Sequence, residues 1–455
     1  MWVNIEIISG NNREISLPIP LAEKLNDDVT VSFGLIDVAA KVYGAIDLTM
    51  RGGVEFEEPL LIKLTSRLAR LLNIKNTSVY RMKYDKYNII LGPSIGLLLG
   101  NKNYMYSPEH MVKYTDRFGI YNKIGGFICA FSPESIDWEE LVAYGLYYNY
   151  NKRDWQYGRF PIPSSIYRRD FHSHPHDIER LITATGGKLF NSWRFTKYNL
   201  YNYLKKHEEL SKKLPATEST KDYETVKKFI NKYGKVILKP VSLSRGRGIC
   251  IIRKENDVYN IFDYRSKDPV KLILDERLLR GFFRYNSMFF ERYIMQELLS
   301  LAKVDGGLFD IRVVMQKDSS AKWKCSGIEC RVAGKDSLIT NISRGGYAMH
   351  LDEAFIKAFP ESNYEELKQS LNDLCYKLCI YMDETRHHFA EFGIDIAIDE
   401  DKRFWIIEVN VFPSFKGFKD MDYETYLDIR YTPLYYAAWL SGFDLDSGGG
   451  GNDAI

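Results

Sequence analysis

The segment that most constrains the fold reads FGIDIAIDEDKRFWIIEVN and spans residues 392–410. Two runs with apolar residues at alternate positions flank a polar stretch, which is the pattern of a β-hairpin. If residues 400–403 form the loop, Asp395 lies directly opposite Glu408. The apolar side of the hairpin then pairs Ile394, Ile396 and Ile398 with Val409, Ile407 and Trp405. Because side chains alternate along a strand, Asn410 shares the other side with Asp395 and Glu408.

The polar side of this hairpin predicts a metal site. Like charges directly opposed on a sheet are destabilising, so two facing carboxylates favour a cation between them. Oxygen ligands without His or Cys suit Mg²⁺, whose coordination is usually completed by water and substrate phosphates. We therefore predict that Asp395, Glu408 and Asn410 hold Mg²⁺. The alternative is a solvent-exposed hairpin with scattered acids.

Composition limits the class of protein. The chain has 455 residues, 45% of them hydrophobic, which is enough for two or three domains with real cores. Its 62 Lys and Arg nearly balance its 60 Asp and Glu, so no global field indicates a nucleic-acid or acidic-membrane partner. The longest apolar run, 89–99, is too short for a membrane span. The amino terminus does not resemble a signal peptide, and we expect a cytoplasmic protein.

The pattern of strand, helix and loop signals predicts an α+β chain in several parts. Residues 1–88 carry short strand signals and predict a β-rich module, and residues 89–190 predict a small α/β domain that includes a helix over 137–148. Residues 191–442 form the main domain, in which Ser362 and Glu365 match a capping box at the start of a long helix. Cys375 and Cys379 share the apolar face of that helix and should be buried. The glycine-rich end, 443–455, predicts a flexible tail.

A second candidate site is the segment KVILKPVSLSRGRGICII, residues 235–252. It places Lys239 at the end of a strand, before a loop of small residues. Small residues let backbone N–H groups approach phosphate oxygens, and the lysine supplies a point charge. The spacing is not that of a Walker A motif, and a plain β-hairpin is the alternative.

Taken in order, these pieces resemble the ATP-grasp superfamily over residues 190–440. The set comprises Lys197, Lys239 with its glycine loop, then IMQELL, FDIRVV, NISRGG and the hairpin ending in EVN. The front half, with LPIPLAEKL, LGPSIGLLL and FPIPSSIYRRD, resembles the YheC/YheD type found with endospore coats. The resemblance implies two α/β subdomains that grip ATP, preceded by a pre-ATP-grasp α/β domain and the amino-terminal β-rich module.

The resemblance also implies roles for individual residues. It implies that Lys197 and Lys239 contact the phosphates and the adenine edge of ATP. A hinge strand that reads adenine through its backbone would be formed by Gln296, Glu297 and Leu298. A phosphate lid would span 242–248, including Ser242, Ser244, Arg245, Gly246 and Gly248, and we expect it to be mobile without nucleotide. The γ-phosphate and the acceptor would be faced by Arg312, Arg331, Asn341 and Arg344. For Arg331 and Arg344, a plain surface position stays open.

The chemistry implied by the resemblance is ATP-dependent ligation of a carboxylate to an amine through an acylphosphate, with ATP and Mg²⁺ required. It implies a small-molecule or peptide substrate and a link to spore-coat formation. No sequence feature names the acid or the nucleophile, which could also be a thiol, and none gives the oligomeric state. Two rival functions remain open, a phosphotransferase with a hydroxyl acceptor and a non-catalytic coat or scaffold protein.

Overall fold

The computed structural model describes residues 1–50, 52–170, 172–241, 247–266, 269–334 and 346–444. The described part is built from a β-barrel followed by three sheets with their helices. None of the helices in these ranges has both the length and the apolar character needed to cross a membrane.

The amino-terminal part is a closed barrel in the strand order β1-β5-β2-β4-β3-β7-β6. Alternate residues point into it, such as Val3, Ile5, Ile15 and Leu17, so that a period of two generates its core. Its elements are β1 (Trp2–Ile8), β2 (Glu14–Pro18), α1 (Ile19–Ala22), β3 (Asp28–Phe33), β4 (Ile36–Ala45), β5 (Leu60–Thr65), α2 (Ser66–Leu71), β6 (Tyr80–Tyr84) and β7 (Asn88–Gly92).

The second part is a sheet in the order β11-β10-β9-β8-β12-β13. The helix predicted over 137–148 is wrong, because Val142–Asn149 is strand β10, paired on both sides. Aromatic residues and Gly145 favour a strand there, and pairing with two neighbours decides it. The elements are β8 (Ser94–Leu98), α3 (Pro108–Met111), α4 (Tyr121–Ile124), β9 (Phe127–Asp137), β10 (Val142–Asn149), β11 (Asp154–Pro161), β12 (Ser165–Arg168), α5 (Pro175–Ala184) and β13 (Leu189–Phe190), with 3₁₀ helices at Asn103–Tyr106 and Val112–Ile120.

The third part is an antiparallel sheet in the order β14-β19-β15-β16-β17-β18, which helices cover on one face. Val236 and Leu238 of β15 point towards those helices, so Lys239, one residue on, points to the other face. The elements are α6 (Lys197–Leu204), α7 (Glu208–Ser211), β14 (Thr217–Ser219), α8 (Tyr223–Tyr233), β15 (Lys235–Pro240), β16 (Cys250–Glu255), β17 (Val258–Asp263), β18 (Val270–Leu274), α9 (Glu276–Tyr285), α10 (Phe289–Arg292) and β19 (Tyr293–Glu297).

The fourth part is a sheet in the order β23-β22-β21-β24-β25, with β20 paired to β21. Its elements are β20 (Lys303–Val304), β21 (Gly307–Lys317), β22 (Trp323–Val332), β23 (Tyr347–Met349), α11 (Leu351–Ala358), α12 (Tyr364–Asp383), β24 (Glu391–Ile398), β25 (Phe404–Asn410), α13 (Lys416–Met421) and α14 (Tyr423–Leu440). Helix α12 covers one face, and Cys375 and Cys379 are fully buried there as predicted. Its cap is Asn363 instead of the predicted Ser362, since the Asn363 side chain accepts the Glu365 N–H.

The last helix, α14, contacts more than one part of the fold. It packs against the second sheet, where the Ser165 hydroxyl donates to the Ala437 carbonyl at 2.9 Å. The tail predicted to begin at 443 is wrong for its first two residues. Phe443 is buried against Gly92 of the barrel, and the Asp444 carbonyl accepts from Arg81. Residues 445–455 lie outside the described ranges.

Candidate functional site

A row of charged side chains crosses the fourth sheet. Glu329 on β22, Arg312 on β21, Asp395 on β24 and Glu408 on β25 stand directly opposite one another in register. Directly opposed residues share one face of a sheet and interact most strongly. The predicted pairings of Asp395 with Glu408 and of Ile394 with Val409 are confirmed. The structure therefore assembles a polar face from four strands, of which the sequence pattern revealed only two.

The hairpin contains a β-bulge that the sequence did not predict. Ile396 pairs with Ile406 and Ile398 with Phe404, instead of the predicted Ile407 and Trp405. The register shift leaves Ile407 as one extra residue on β25, and such an insertion changes which face the following residues occupy. Ile406 and Phe404 consequently lie in the apolar core. Glu408 and Asn410 lie on the polar face.

Two arginines hold the carboxylates of this face in place. Arg312 contacts Asp395 through both Nε (2.5 Å to Oδ1) and Nη2 (3.0 Å to Oδ2). Arg331 contacts Asp310 in the same way, through Nε (2.6 Å to Oδ1) and Nη2 (2.9 Å to Oδ2). Its Nη2 also lies 3.2 Å from Asp395 Oδ1. Such forked contacts are among the strongest polar interactions in proteins. Although burial raises it, these guanidinium groups hold the pKa of Asp395 below its ordinary value.

Glu329 is a buried acid whose charge is only partly compensated. Its side chain is 3% exposed, and Oε2 has no hydrogen-bond partner in the part of the chain that the structure describes. Burial raises its pKa to about 7, against the opposing effect of Arg312 and Arg331. A Cβ at Gly417 would collide with this carboxylate, so the start of α13 lies directly on it.

Asp310 and Glu329 were missed by the sequence analysis. The signal that could have found them is a shared spacing. Asp310 and Arg312, Glu329 and Arg331, and Glu408 and Asn410 are three pairs of polar residues two positions apart, and each pair lies on one strand. Two positions is the repeat that keeps side chains on one face.

Two lysines face this row, Lys197 from helix α6, which packs in the core of the fourth part, and Lys239 from strand β15 of the third part. Lys197 begins α6, where Thr196 is the N-cap, and its Nζ lies 3.1 Å from Glu408 Oε1. Lys239 Nζ donates to Gln296 Oε1 at 2.5 Å. Desolvation lowers the pKa of Lys239 to about 8, although Glu408 opposes the effect. The predicted site residues Lys197, Lys239 and Gln296 are thus brought together with the carboxylates.

The backbone N–H groups of Glu297 and Leu298, which were predicted to lie in the strand that reads adenine, already have partners within the protein. The N–H of Glu297 donates to the Ala216 carbonyl and that of Leu298 to the Lys235 carbonyl, both at 2.9 Å, because β19 is an interior strand. These two amides are occupied and cannot also donate to a base. The next amide, of Leu299, donates no backbone hydrogen bond among the described residues. The carboxylate of Glu297 accepts the Ala216 N–H at 2.8 Å.

Several predicted residues lie outside the described ranges. They are Ser242, Ser244, Arg245 and Gly246 of the predicted lid, together with Asn341 and Arg344. Gly248 is described and has a φ of +75°, a conformation that glycine adopts without strain.

The oxygen donors of the site fit Mg²⁺ only together with an anionic ligand. Both oxygens of Asp395 already accept from arginine, and Glu408 Oε1 lies beside Lys197. The Asn410 amide oxygen is a further neutral donor of the type that hard cations accept. The described residues contain no cluster of three His, Cys, Asp or Glu side chains placed to hold a metal by themselves. A cation that shares its coordination with phosphates suits a site in which lysines and arginines offset the carboxylates.

Comparisons with known proteins identify the family of this chain. A family described as YheC/D-like ATP-grasp matches residues 186–440. The endospore coat-associated protein YheD of Bacillus subtilis (strain 168) is 25% identical over 368 residues, which cover 78% of this chain and 80% of that protein. The endospore coat-associated protein YheC of the same organism is 24% identical over 345 residues, covering 74% and 92% of the two chains.

Solved structures are also similar to this chain. The ATP-grasp ligase PsnB complexed with a minimal precursor has a TM-score of 0.44 and 16% identity, and covers 77% of this chain and 100% of that one. The ADP complex of the N5-carboxyaminoimidazole ribonucleotide synthetase PurK has a TM-score of 0.44 and 11% identity, with 73% of each chain covered. The family match spans more than half of the chain and includes the third and fourth sheets, which form its ATP-grasp fold. The chain therefore belongs to the YheC/YheD-like ATP-grasp family.

Proposed function

We propose that this chain is an ATP-dependent ligase that joins a carboxylate to an amine through an acylphosphate. The observation that carries the proposal is the meeting of Lys197 and Lys239 with the charged row on the fourth sheet. Two cationic groups opposite a cluster of oxygen donors are what a magnesium-bound triphosphate requires.

The residues divide the work by their chemistry. Lys197 and Lys239 bind phosphate oxygens as point charges. Asp395, Glu408 and Asn410 hold Mg²⁺, which supplies neutralisation of phosphate charge when it is bound. Arg312 and Arg331 each use Nε and Nη2 to fix a carboxylate. This leaves Nη1 of both, which makes no hydrogen bond with any described residue, to face the transferred phosphoryl group and the acceptor.

The proposed reaction has two steps. A substrate carboxylate oxygen attacks the γ-phosphorus of ATP, and the bond to the β–γ bridging oxygen breaks, which releases ADP. An amine nitrogen then attacks the acyl carbon, loses its proton, and displaces phosphate. The site contributes mainly position and charge neutralisation, as in other phosphoryl transfers.

The relatives and the chemistry of the reaction indicate a cellular setting and a substrate class. The curated relatives are named endospore coat-associated proteins, and we propose that this chain also acts in sporulation and associates with the spore. An amino acid or a peptide provides both a carboxylate and an amine, and it is the substrate class that we propose. The balanced charge of the chain does not favour a nucleic-acid partner.

The test is product analysis with matched variants. The wild type, Glu408→Gln and Glu400→Gln are incubated with ATP, Mg²⁺ and pools of amino acids and short peptides, and products are identified by mass spectrometry. A ligase yields ADP, phosphate and an amide. Glu400 is exposed in the turn of the same hairpin, so its variant controls for the substitution itself. We expect Glu408→Gln to lose at least two orders of magnitude in turnover and Glu400→Gln to keep it.

The outcomes separate the rival functions. ADP together with a phosphomonoester and no amide would indicate a phosphotransferase with a hydroxyl acceptor. Absence of ATP binding in the folded wild type would indicate a non-catalytic coat or scaffold protein. Full turnover in folded Glu408→Gln would reject the metal assignment.

A further inference from the structure

The FPIPSSIYRRD motif of the second sheet contains an arginine that reaches the candidate site from another part of the fold. Arg169 follows strand β12, and its Nη2 donates to the Pro413 carbonyl at 2.7 Å. Its guanidinium also lies over the Phe415 ring, 5.1 Å from the centroid. Both contacts fall in the segment that leaves strand β25 immediately after Asn410.

That segment, residues 411–417, covers one end of the charged row. A Cβ at Gly393, which is paired with Asn410, would lie 2.5 Å from Pro413 Cβ and 3.3 Å from Arg312 Cδ. Further on, Gly417 lies on the Glu329 carboxylate. The segment 411–417 therefore covers the Arg312–Glu329 end of the row, and its first residue follows Asn410 directly in the chain.

Arg169 is itself held rigidly. Its Nη1 donates to Glu391 Oε1 at 2.8 Å and to the Tyr167 hydroxyl at 2.9 Å. Glu391 is fully buried at the start of β24 and also accepts from Gln316 at 2.9 Å. A planar guanidinium fixed on one edge by a buried carboxylate presents its remaining N–H groups in one direction. Here that direction is the Pro413 carbonyl.

We propose that Arg169 is a positioning residue of the candidate site, which acts by fixing the segment 411–417 and through it Asn410. The second sheet would then complete a site whose ligands all lie in the ATP-grasp part. The proposal rests on the proposed function for its second half, the placement of a metal ligand. Its first half, the fixing of the segment, concerns the protein alone.

The neighbouring Arg168 provides a matched control. It is buried, whereas Arg169 is partly buried, and it pairs with Asp170 at 3.2 Å and donates to the Ser192 carbonyl at 2.7 Å, with no hydrogen bond or ion pair to residues 411–417. Lysine at either position keeps the positive charge but lacks the planar guanidinium, which donates several hydrogen bonds in fixed directions. Loss of stability alone should therefore be similar for Arg168→Lys and Arg169→Lys, whereas only Arg169→Lys should release the segment.

Two measurements on the full chain test the proposal. Hydrogen exchange should accelerate at least ten-fold at the amides of 411–417 in Arg169→Lys and stay as in the wild type in Arg168→Lys. Mn²⁺ affinity in the presence of the unreactive analogue AMPPNP should fall at least five-fold in Arg169→Lys only. Affinity for AMPPNP without metal should stay within two-fold, a combination that general destabilisation would not produce.

The failure of this proposal is distinguishable from the failure of the proposed function. Unchanged exchange at 411–417, or faster exchange with unchanged Mn²⁺ affinity, would overturn the role of Arg169. Absence of nucleotide and metal binding in the wild type would overturn the proposed function, and with it the second half of the proposal. If Arg169→Lys does not fold, Phe415→Leu, which removes the ring under the guanidinium, is expected to give the same pair of changes, and its failure to do so would also overturn the role of Arg169.

Discussion

At the scale of single residues, the site is defined by ionisable groups whose protonation is shifted in opposite senses. Lys239 is desolvated and has a pKa lowered to about 8, whereas the pKa of Glu329 is raised to about 7. Perturbed groups of this kind concentrate at functional sites. Both shifts give predictions that can be measured without knowing the substrate.

Replacing Lys239 should affect nucleotide binding more than stability. Hydrogen bonds to charged groups contribute about 1.5–3 kcal/mol, so Lys239→Met should weaken ATP affinity by roughly 10- to 100-fold. Removing a desolvated charge and leaving Gln296 Oε1 without its donor oppose each other, and we expect the free energy of unfolding to change by less than about 1 kcal/mol. Calorimetry of ATP binding and denaturant unfolding check this. Intact ATP affinity in the folded variant would contradict it.

The titration of Lys239 should appear in the pH dependence of both binding and stability, with opposite signs. The ammonium is lost as pH rises through about 8, so ATP affinity should fall there in the wild type and stay flat in Lys239→Met. The folded pKa lies below the unfolded value, so the unfolded chain binds more protons between pH 8 and about 10.5. The contribution of Lys239 to stability therefore rises with pH in that window. Calorimetry from pH 7 to 9 is the measurement for affinity.

Glu329 should destabilise the fold above neutral pH. Its folded pKa of about 7 lies above the unfolded value, so its contribution to stability is fully present below the unfolded pKa and is lost as pH rises through 7. Glu329→Gln removes this loss. Relative to the wild type, the variant should gain roughly 3 kcal/mol in unfolding free energy between pH 4 and pH 8. Urea unfolding of both proteins at pH 4 and pH 8 measures this gain. An equal difference in unfolding free energy between variant and wild type at the two pH values would show that Glu329 does not titrate in this range.

At the scale of elements, sheet order brings the site together. The hairpin could be predicted because both of its strands are adjacent in sequence, so alternation alone opposes Asp395 to Glu408. Arg312 and Glu329 join the row because β21 pairs with β24 on one side and with β22 on the other, although helices α11 and α12 lie between β22 and β24 in sequence. The spacing of two positions shared by Glu329 and Arg331 indicates a common face, but no local signal gives the strand order that places this face beside Asp395. The bulge at Ile407 depends on core packing in the same way.

The contact between α13 and β22 gives an element-scale prediction. Gly417→Ala places a Cβ against the Glu329 carboxylate, and such overpacking typically costs about 1–3 kcal/mol. The cost should fall when Glu329 is shortened, so that Gly417→Ala in a Glu329→Ala background destabilises less than it does in the wild type. Thermal or urea unfolding of the four proteins gives the coupling energy. Additive effects would show that the two residues do not touch.

At the scale of the whole molecule, the residues that follow α14 pack against the barrel, which also shares a hydrophobic core with the second sheet. Arg81 of the barrel lies between the Trp2 and Phe443 rings, 5.4 and 5.9 Å from their centroids, and donates to the Asp444 carbonyl at 2.6 Å. Phe443 is 2% exposed. The glycine-rich composition of this end predicted a flexible tail from 443 onwards. The burial of Phe443 was not predicted, because the residue that it contacts, Gly92, lies 351 positions away in sequence (443 − 92).

Phe443→Ala should therefore loosen the barrel. Burial of a phenylalanine contributes about 3–5 kcal/mol relative to alanine, and we expect a loss of that size in the unfolding free energy. Amides of β6 and β7 should also exchange faster. Ile46→Ala, in the same barrel at a position 90% exposed, is the control and should change neither quantity. Wild-type stability in Phe443→Ala would show that this contact adds nothing measurable to the core that the barrel shares with the second sheet.

The bulge in β25 shifts the alternation of side chains, so that even-numbered residues point to opposite faces of the sheet before and after Ile407. Before Ile407 the even-numbered residues Phe404 and Ile406 point into the core, and after it the even-numbered residues Glu408 and Asn410 point at the site. At this number of residues, a strand without the bulge would place Phe404, Ile406, Glu408 and Asn410 on one face, so that either two polar ligands would be buried or two apolar anchors would be exposed. Length changes within residues 399–403, at the turn, do not alter which face each side chain of β25 occupies. Functional relatives should consequently either keep the bulge or lack one residue between Ile406 and Glu408, because removal of Ile407 restores strict alternation with the anchors and the ligands on the faces that they occupy here.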